Sequence, residues 1–315
     1  MPLNPDRVAL NPLQWISIKD ADGVDHWRYA EPDFREAYPQ VLTAVRQSGF
    51  EAVMMEVLAT QTLRDYEQLV ADARLVVSPG YASIGLPEEH DVSFAPGSAE
   101  ESRWFDGVRR KAEESNYFGQ STIFLAPEVW WSPNMVRTGE RVAVGADYRE
   151  DRLDRVIDLL GRSAEILAAE GVRAGLHNHV GTWVETEAEI ERVLDAIPAS
   201  LLGASFDIGH LTWAGVDAVA MITRHADRLV DLHFKDLDLD VAAASRAEPT
   251  SYNEATDRGI FLEPGSGGID LDAVIDALPA GWPGWLIVEV DRTAIDPADS
   301  AAICWNWVSA RFATE

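Results

Sequence analysis

Four of the seven histidines in the sequence lie at the ends of three successive apolar runs in the second half of the chain. They are His177, His179, His210 and His233. In a barrel of parallel strands, chemically active side chains gather where the strands end and in the loops that follow. We therefore expect these imidazoles to lie near one another, together with the carboxylates of the same segments.

Carboxylates accompany the histidines. Since side chains two positions apart on a strand point to the same face, His177 and His179 should both face the mouth of the barrel. Mixed imidazole and carboxylate ligands suit a divalent ion, of which Mn²⁺ is our first choice and Co²⁺, Zn²⁺ or Mg²⁺ are alternatives. A single cysteine, Cys304, leaves no pair for a thiolate site. The predicted ligands are Asp207, His233, Glu289 and either Glu185 or His177.

The same segments offer groups for proton transfer. An imidazole has an ordinary pKa of about 6.5, which suits a base at neutral pH. His179 or His177 is therefore predicted to remove a proton next to a carbonyl group, with the metal acting as a Lewis acid. Lys235 either donates a proton or forms an ion pair with its neighbour Asp236. Returning the proton elsewhere gives an isomerase or epimerase, whereas loss of a β-substituent gives a lyase.

Aromatic side chains are frequent near the predicted strand ends, and the chain has 11 tryptophans in all. Flat amphipathic rings suit the apolar face of a sugar or cyclitol, or a second aromatic ring. Each tryptophan can also simply fill space between loops and helices. Those that follow predicted strands are Trp15, Trp130, Trp131, Trp183 and Trp213, together with Tyr81. The residues that we assign to substrate binding are Trp15, Glu56, Trp183, His210 and Arg292.

Eight strands alternating with eight helices are needed to bring these residues together. The predicted strands are 7–11, 52–57, 75–79, 122–126, 173–177, 202–207, 229–234 and 285–290. The predicted helices are 33–48, 60–72, 100–115, 148–170, 186–196, 216–226, 271–278 and 299–312. Continuous apolar runs indicate a parallel sheet covered by helices. The count of eight favours one α/β domain over residues 1–315, a (β/α)₈ TIM barrel, rather than an open doubly wound sheet.

Composition excludes several classes of protein. The net charge is −27, from 26 Lys and Arg against 53 Asp and Glu, which argues against binding nucleic acid or an anionic membrane. No apolar run approaches the roughly 18 residues of a membrane span. The N-terminal residues lack the pattern of a secretory signal, and a single cysteine fits a reducing compartment. We therefore expect a cytoplasmic protein.

Three segments carry a family resemblance: Phe206-Asp207-Ile208-Gly209-His210, His233-Phe234-Lys235-Asp236 and Ile287-Val288-Glu289-Val290-Asp291. The chain resembles the xylose-isomerase-like TIM-barrel superfamily of sugar phosphate isomerases and epimerases. The resemblance implies that Asp207, His233 and Glu289 bind a divalent cation. The fourth ligand of the family is a glutamate in a Glu-Asn-His sequence, and His177 stands at that position here. Either His177 ligates or Glu185 folds back, and we favour Glu185 because a carboxylate restores the usual charge.

The segment 177–185 is similar to that of the inosose dehydratase branch, as is 11–15 after the first strand. This resemblance implies a metal-dependent lyase that acts on a keto-cyclitol or keto-sugar. The chain is also similar to catalytic subunits of C-glycoside deglycosidases, which implies a sugar–aromatic substrate, an oligomer and a small second subunit. An isomerase or epimerase and a non-catalytic sugar-binding barrel remain alternatives.

Overall fold

A computed structural model of the chain describes residues 3–19, 25–129 and 135–312. All eight predicted strands are present. They are β1 (Val8–Asn11), β2 (Ala52–Met54), β3 in two segments (Val76–Ser78 and Tyr81–Ile84), β4 (Thr122–Pro127), β5 (Arg173–Leu176), β6 (Leu202–Ala204), β7 (Leu232–Phe234) and β8 (Leu286–Glu289). The (β/α)₈ barrel that the sequence predicts is therefore confirmed.

Parallel pairing closes the sheet on itself. Strand β8 pairs with both β7 and β1, and places Asn11 opposite Glu289. Strand β3 is divided at Gly80, so that its first segment pairs with β2 and its second with β4. Isolated bridges Ala204↔Leu229 and Asp207↔His233 join β6 to β7. The carboxyl ends of all eight strands consequently face one mouth.

The strands read as continuous apolar runs because both of their faces are buried. Ile287 packs inside the barrel with Ala9 and Phe124, while its neighbour Val288 packs outside with the helices. Phe124 also lies against His233, with 4.1 Å between the ring centroids. The apolar interior therefore forms a dry floor directly beneath the strand ends.

One helix follows each strand of the barrel. These helices are Phe34–Ser48, Leu63–Asp72, Asp106–Tyr117, Glu150–Ala169, Glu187–Ala196, Ala218–Arg224, Leu271–Asp276 and Pro297–Ser309. The Thr186 hydroxyl accepts from the Glu189 amide, and the Glu189 carboxylate accepts from the Thr186 amide, which is the capping box that the sequence predicts. Gly49 has a φ of +115° and ends the first helix, as only a residue without a Cβ does readily.

The loops at the mouth contain more regular structure than the sequence indicated. Residues 237–259 form helices Leu239–Ala247 and Tyr252–Asp257, and Asp236–Leu237 pairs antiparallel with Phe261–Leu262. The predicted helix 100–115 is divided at Phe105, where Ala99–Trp104 ends. Further short elements are Leu13–Ile16, Val136–Gly139, Ile208–Trp213, the hairpin Ser17–Lys19 with Asp25–Trp27, and four 3₁₀ turns, Pro5–Arg7, Arg28–Ala30, Pro87–His90 and Ala226–Arg228.

The helices within the described ranges are too short or too polar to span a membrane, because none of them combines the length and the apolar character that crossing a bilayer requires. Trp130 and Trp131, which the sequence placed near the mouth, lie outside the described residues.

Candidate metal centre and active site

A cavity of about 340 Å³ opens at the carboxyl ends of the strands. Its polar end is formed by His177, His179, His233, Glu289 and Asp291. The lining also includes apolar side chains, among them Leu13, Trp27, Met54, Met55 and Val129. The cavity therefore combines a cluster of titratable groups with apolar side chains.

Three side chains at the polar end converge on one point. His177, Asp207 and His233 each offer a ligand atom, and these atoms lie within 4.8 Å of one another. His233 Nδ1 is 3.6 Å from Asp207 Oδ2 and 3.5 Å from Glu289 Oε2. All four side chains are buried, although buried polar atoms are normally paired.

Several of these atoms have no hydrogen-bond partner of good geometry among the described residues. They are His177 Nδ1, Asp207 Oδ2 and both ring nitrogens of His233. An orphaned set of two imidazoles and a carboxylate, with a second carboxylate alongside, is what a divalent cation would satisfy. The residues present therefore fit the divalent metal that the sequence predicts.

The backbone and two amides position these ligands. The His177 amide donates to the Leu125 carbonyl at 2.8 Å, so His177 continues the ladder of β5 into the mouth. Asp207 caps the helix Ile208–Trp213, with Oδ1 accepting from the His210 amide at 3.0 Å. Asn178 brackets Asp207, because it donates to the Asp207 carbonyl at 3.1 Å and accepts from the Asp207 amide at 3.0 Å. From the adjacent strand β1, Asn11 Nδ2 donates to Glu289 Oε2.

Lys235 neutralises the carboxylates from within the cluster. Its Nζ lies 3.0 Å from Asp207 Oδ2 and 2.6 Å from Glu289 Oε1, and it also contacts Asp291 Oδ1. Burial alone would lower the pKa of Lys235, yet these three carboxylates raise it well above its ordinary value. Burial would raise the pKa of Glu289, but Lys235 and His233 lower it to about 2. The Lys235 ammonium and the Asp207 and Glu289 carboxylates are therefore charged, whereas burial raises the pKa of Asp291 to about 8, so that Asp291 keeps its proton at pH 7.

His179 lies beside this cluster in a defined tautomer. Its Nδ1 is 2.7 Å from the Val180 carbonyl, which can only accept, so Nδ1 carries the hydrogen and Nε2 keeps its lone pair. Burial and then the Lys235 charge lower the pKa of His179 to about 4. Burial and then His233 lower the pKa of His177 well below its ordinary range. Both imidazoles are therefore neutral at pH 7.

A second group lies next to the first. His179, His210 and Asp291 also offer ligand atoms within 4.8 Å of one another. The Tyr252 hydroxyl donates to Asp291 Oδ2 at 3.0 Å, and Lys235 Nζ lies 3.1 Å from His210 Nε2. The Lys235 ammonium contacts both groups, since it lies against Asp207 and Glu289 as well as against His210 and Asp291.

The chain matches known proteins in sequence and in fold. Residues 42–305 match a family model described as xylose isomerase-like TIM barrel. The chain belongs to this family. The match covers the segments from which all of the predicted metal ligands project.

The chain is similar to inosose dehydratases. It is 26% identical over 298 residues to the inosose dehydratase of Geobacillus kaustophilus (strain HTA426), which covers 94% of this chain and 90% of that protein. It is 34% identical over 152 residues to that of Geobacillus thermodenitrificans (strain NG80-2), where the match spans 48% of this chain and only 50% of that protein. Among solved structures, the IOLI protein, crystallised with a zinc atom, is 13% identical with a TM-score of 0.64, covering 98% of this chain and all of that one, which shows a shared fold.

Glu185 is held by backbone amides and is not among the side chains that converge on the candidate metal site. Its Oε1 accepts from the Gly145 amide at 2.7 Å and its Oε2 from the Gly181 amide at 2.8 Å. Arg137 Nε lies 3.8 Å from Oε1. Both oxygens are thus engaged in holding loops together. The structure instead brings His177, the alternative ligand, to Asp207 and His233.

The predicted roles of Lys235 and Asp236 are corrected in the same way. Asp236 does not pair with Lys235 but accepts from the amides of Gly265 and Gly267, each at 2.9 Å. The glycine-rich segment after β7 is therefore a tight turn wrapped around Asp236. A cationic Lys235 held by three carboxylates is also a poor proton donor.

Of the predicted substrate-binding residues, Glu56 lines the cavity and the other four do not, as far as the described residues show. Trp183 donates to Glu89 Oε1 at 2.6 Å and carries the Arg152 guanidinium 3.8 Å above its ring. His210 is buried behind Lys235, and Trp15 packs against the core. Arg292 lies 3.2 Å from Asp257. These four side chains thus have protein partners outside the cavity lining, and the substrate-binding roles predicted for them stay predictions.

Sequence reasoning missed four residues of the site, namely Asn11, Asn178, Tyr252 and Asp291. Asn11 and Asn178 could have been found, since Asn11 ends β1, Asn178 lies two residues after β5, and an amide at a strand end can orient a neighbouring carboxylate. Tyr252 could not, because it comes from a loop helix that the sequence did not predict. Asp291, two positions after Glu289, shares its face and was available from the alternation alone.

Proposed function

We propose that this protein is a metal-dependent lyase that removes water from a keto-cyclitol or keto-sugar, as the inosose dehydratases to which it is similar do. The observation that carries this proposal is the orphaned buried set His177, Asp207 and His233 at the floor of a cavity that also presents a neutral His179. Relatives that carry the name inosose dehydratase support the reaction class.

The proposed metal ligands are His177, Asp207, His233 and Glu289. His177 replaces Glu185 in this set because both Glu185 oxygens accept hydrogen bonds from backbone amides. Two neutral imidazoles and two carboxylates give a site of mixed N and O donors, for which Mn²⁺ remains our first choice. When bound, the ion supplies Lewis acidity toward the carbonyl group of the substrate.

His179 is the proposed base. Its Nε2 lone pair accepts the proton on the carbon next to the ketone, while Nδ1 stays bonded to the Val180 carbonyl. Lys235 holds Asp207, Glu289 and Asp291 in place rather than moving a proton. The dry floor formed by Phe124 and Ile287 keeps bulk water away from the deprotonated substrate.

The apolar part of the cavity lining supports a second candidate, cleavage of a 3-keto C-glycoside with release of an aromatic aglycone. Leu13, Met54 and Met55, with Trp27, offer a surface for a ring that a cyclitol alone would not fill. The same proton abstraction by His179 would serve this reaction. In that case we expect the chain to act in an oligomer with a small second subunit.

The test is incubation of the metal-loaded protein with inosose and, separately, with a 3-keto C-glycoside. Formation of the dehydrated diketone from inosose supports the dehydratase, and release of an aglycone supports the second candidate. The His179→Gln variant should lose about 10²- to 10⁴-fold in turnover while retaining its metal. An epimer without elimination would contradict the lyase, and no reaction at all would favour a sugar-binding barrel.

A further inference from the structure

A carboxylate that lines the cavity forms a pair with an imidazole. Glu128 follows β4 and lines the cavity, and its Oε2 lies 2.7 Å from His90 Nε2. Their side chains are 34% and 26% exposed, respectively. The pair therefore faces both the cavity and solvent, unlike the buried ligands at the floor.

The surrounding loop is shaped around this pair. A Cβ on Gly85 would lie 2.2 Å from Glu128 Oε2 and 2.9 Å from His90 Nε2, so only glycine leaves room for the contact. Trp104 donates its indole N–H to the Gly85 carbonyl at 3.1 Å and packs edge-on against the His90 ring, with centroids 5.4 Å apart. Three separate segments thus hold the two groups together.

The other carboxylates that line the cavity have different partners. Glu56 lies 3.2 Å from Lys111 Nζ, and Glu289 and Asp291 both contact Lys235. Lys235 lowers the pKa of Glu289 to about 2, but burial outweighs the neighbouring ammonium at Glu56 and Asp291 and raises the pKa of both, to about 8 at Asp291. The imidazoles near Asp291 and Glu289, which are those of His210 and His233, are buried, whereas His90 is partly exposed. Glu128 is paired with an imidazole and, within the described part of the chain, with no lysine or arginine. An imidazole can deliver a proton to its partner and take it back, which an ammonium of high pKa does poorly.

Glu128 borders the same cavity as the candidate metal ligands His177, His233 and Glu289, and Tyr81 lines it with them. Burial raises the pKa of the Tyr81 phenol, and the negative charges of Glu289, Asp207 and Glu128 add to that effect. Tyr81 also packs against His177, with ring centroids 5.2 Å apart. The neutral phenol therefore lies against His177 and borders the cavity that Glu128 also lines.

We infer that Glu128 is the general acid that protonates the departing hydroxyl, and that His90 is a positioning residue that returns a proton to it from solvent. This inference rests on the proposed dehydration. His179 takes the proton from the carbon next to the ketone, and that C–H electron pair forms the new double bond. The C–O bond at the next carbon breaks, its electron pair stays on oxygen, and the Glu128 carboxyl donates a proton to it. One water leaves, and Glu128 is left as a carboxylate.

The two proton transfers can be separated in deuterium oxide. In the Glu128→Gln variant, elimination from inosose should fall about 10²- to 10⁴-fold, the range for loss of a general acid. Exchange of the α-hydrogen for deuterium in recovered inosose should persist within a few-fold of wild type, because His179 is untouched. In His179→Gln, both exchange and elimination should be lost. A substrate with fluoride in place of the departing hydroxyl should restore elimination by Glu128→Gln, since fluoride leaves without a proton.

Gly85→Ala tests the pair without removing either group. The added methyl should displace the Glu128–His90 contact and shift the ratio of exchange to elimination in the same direction as Glu128→Gln. Gly107→Ala is the matched control, because a Cβ there meets nothing within 4 Å. His90→Gln should shift the same ratio, and fluoride should restore its elimination too.

The outcomes separate the two proposals. If the wild-type protein catalyses neither exchange nor elimination, the proposed function itself is contradicted. Equal loss of exchange and elimination in Glu128→Gln, or no rescue by fluoride, would overturn the role of Glu128 while leaving the dehydration intact. Separation of exchange from elimination by Asp291→Asn instead would assign the general acid to Asp291 and equally overturn it.

Discussion

Two groups of buried polar side chains lie at the mouth of this barrel, and their hydrogen bonding differs. The candidate metal centre, which comprises His177, Asp207, His233 and Glu289, contains three ring nitrogens without a hydrogen-bond partner among the described residues, and Asp207 Oδ2 has only an ion pair with Lys235 there. The Arg137 cluster, which comprises Arg137, Glu185 and Glu189, has every side-chain polar atom paired within the described residues. Burial alone therefore does not distinguish a functional site from a structural one.

Pairing in the Arg137 cluster explains its role. Arg137 contacts both Glu189 oxygens, at 2.6 and 3.1 Å, and donates to the Ala146 and Thr182 carbonyls, each at 2.8 Å. Glu185 accepts from two loop amides. These bonds fasten the loop after β4 to the loop after β5. A buried charge set that satisfies itself holds a fold together, whereas one that leaves acceptors open awaits a cation.

The largest effect should come from breaking the metal centre. Asp207→Asn removes one negative ligand yet retains the helix N-cap, since asparagine caps as well as aspartate. We expect bound metal to be lost and turnover to fall by about 10³-fold or more, the size of a Lewis-acid contribution of several kcal/mol. Metal analysis, turnover and circular dichroism of the variant check this. Normal turnover in a metal-free Asp207→Asn preparation would contradict it.

Breaking the Arg137 cluster should change stability rather than chemistry. Arg137→Met leaves two buried carboxylates without their cation, which typically costs about 3–5 kcal/mol. Urea unfolding of the variant should show this loss, while metal content per folded chain stays at the wild-type level. Arg149→Met, which removes an exposed pair with Asp151, is the control and should leave unfolding unchanged. An Arg137→Met protein that has lost its metal but is as stable as wild type would contradict the structural role of the Arg137 cluster and assign it a role in metal binding.

A further buried carboxylate, Asp231, is intermediate between the two groups in its hydrogen bonding. Its Oδ1 accepts from the Trp285 amide at 2.8 Å, but its Oδ2 has no partner of good geometry in the described chain. Burial raises the pKa of Asp231 to about 6. The folded state thus keeps this proton when the unfolded state has lost it, so stability falls as pH rises from about 4 to about 6.

Asp231→Asn should remove that pH dependence. The variant should gain up to about 3 kcal/mol over wild type between pH 4 and pH 7, because the amide never ionises and still accepts from Trp285. Unfolding of both proteins at these two pH values measures the difference. A constant difference across this range would show that Asp231 ionises normally in the fold.

The smallest expected effect concerns the support of the metal centre. Asn178→Ala removes both bonds that bracket Asp207, and loss of such outer support typically lowers metal affinity about 10–100-fold. Titration of metal into the apo protein checks this. Asn116→Ala, which removes one exposed bond to the Glu170 carbonyl, should leave affinity unchanged. An Asn178→Ala affinity equal to wild type would mean that Asp207 is held by its helix cap alone.

The barrel was predictable because its signals are local and repeated. Eight apolar runs alternate with amphipathic segments, and Thr186 and Gly49 mark helix ends by their own chemistry. The loop elements were not predictable in the same way. Helix Tyr252–Asp257 is only six residues long and lies over the site through tertiary packing, as Tyr252 shows by its bond to Asp291.

The site was predictable in its members but not in its partners. Alternation and strand position identified His177, His179, Asp207, His233 and Glu289 as neighbours. They did not reveal that Glu185 faces Gly145 and Gly181, because that depends on how two loops meet. Nor did they reveal the three partners of Lys235, because Asp207, Glu289 and Asp291 lie at or beyond the ends of β6 and β8, far from Lys235 in sequence.

The central claim is that His177, and not Glu185, is the fourth metal ligand. Metal content per chain, measured after purification of wild type, His177→Gln and Glu185→Gln under identical conditions, tests it most directly. We predict one ion per chain in wild type and Glu185→Gln, and loss of the ion in His177→Gln. A full complement of metal in His177→Gln together with its loss from a folded Glu185→Gln protein would contradict the account.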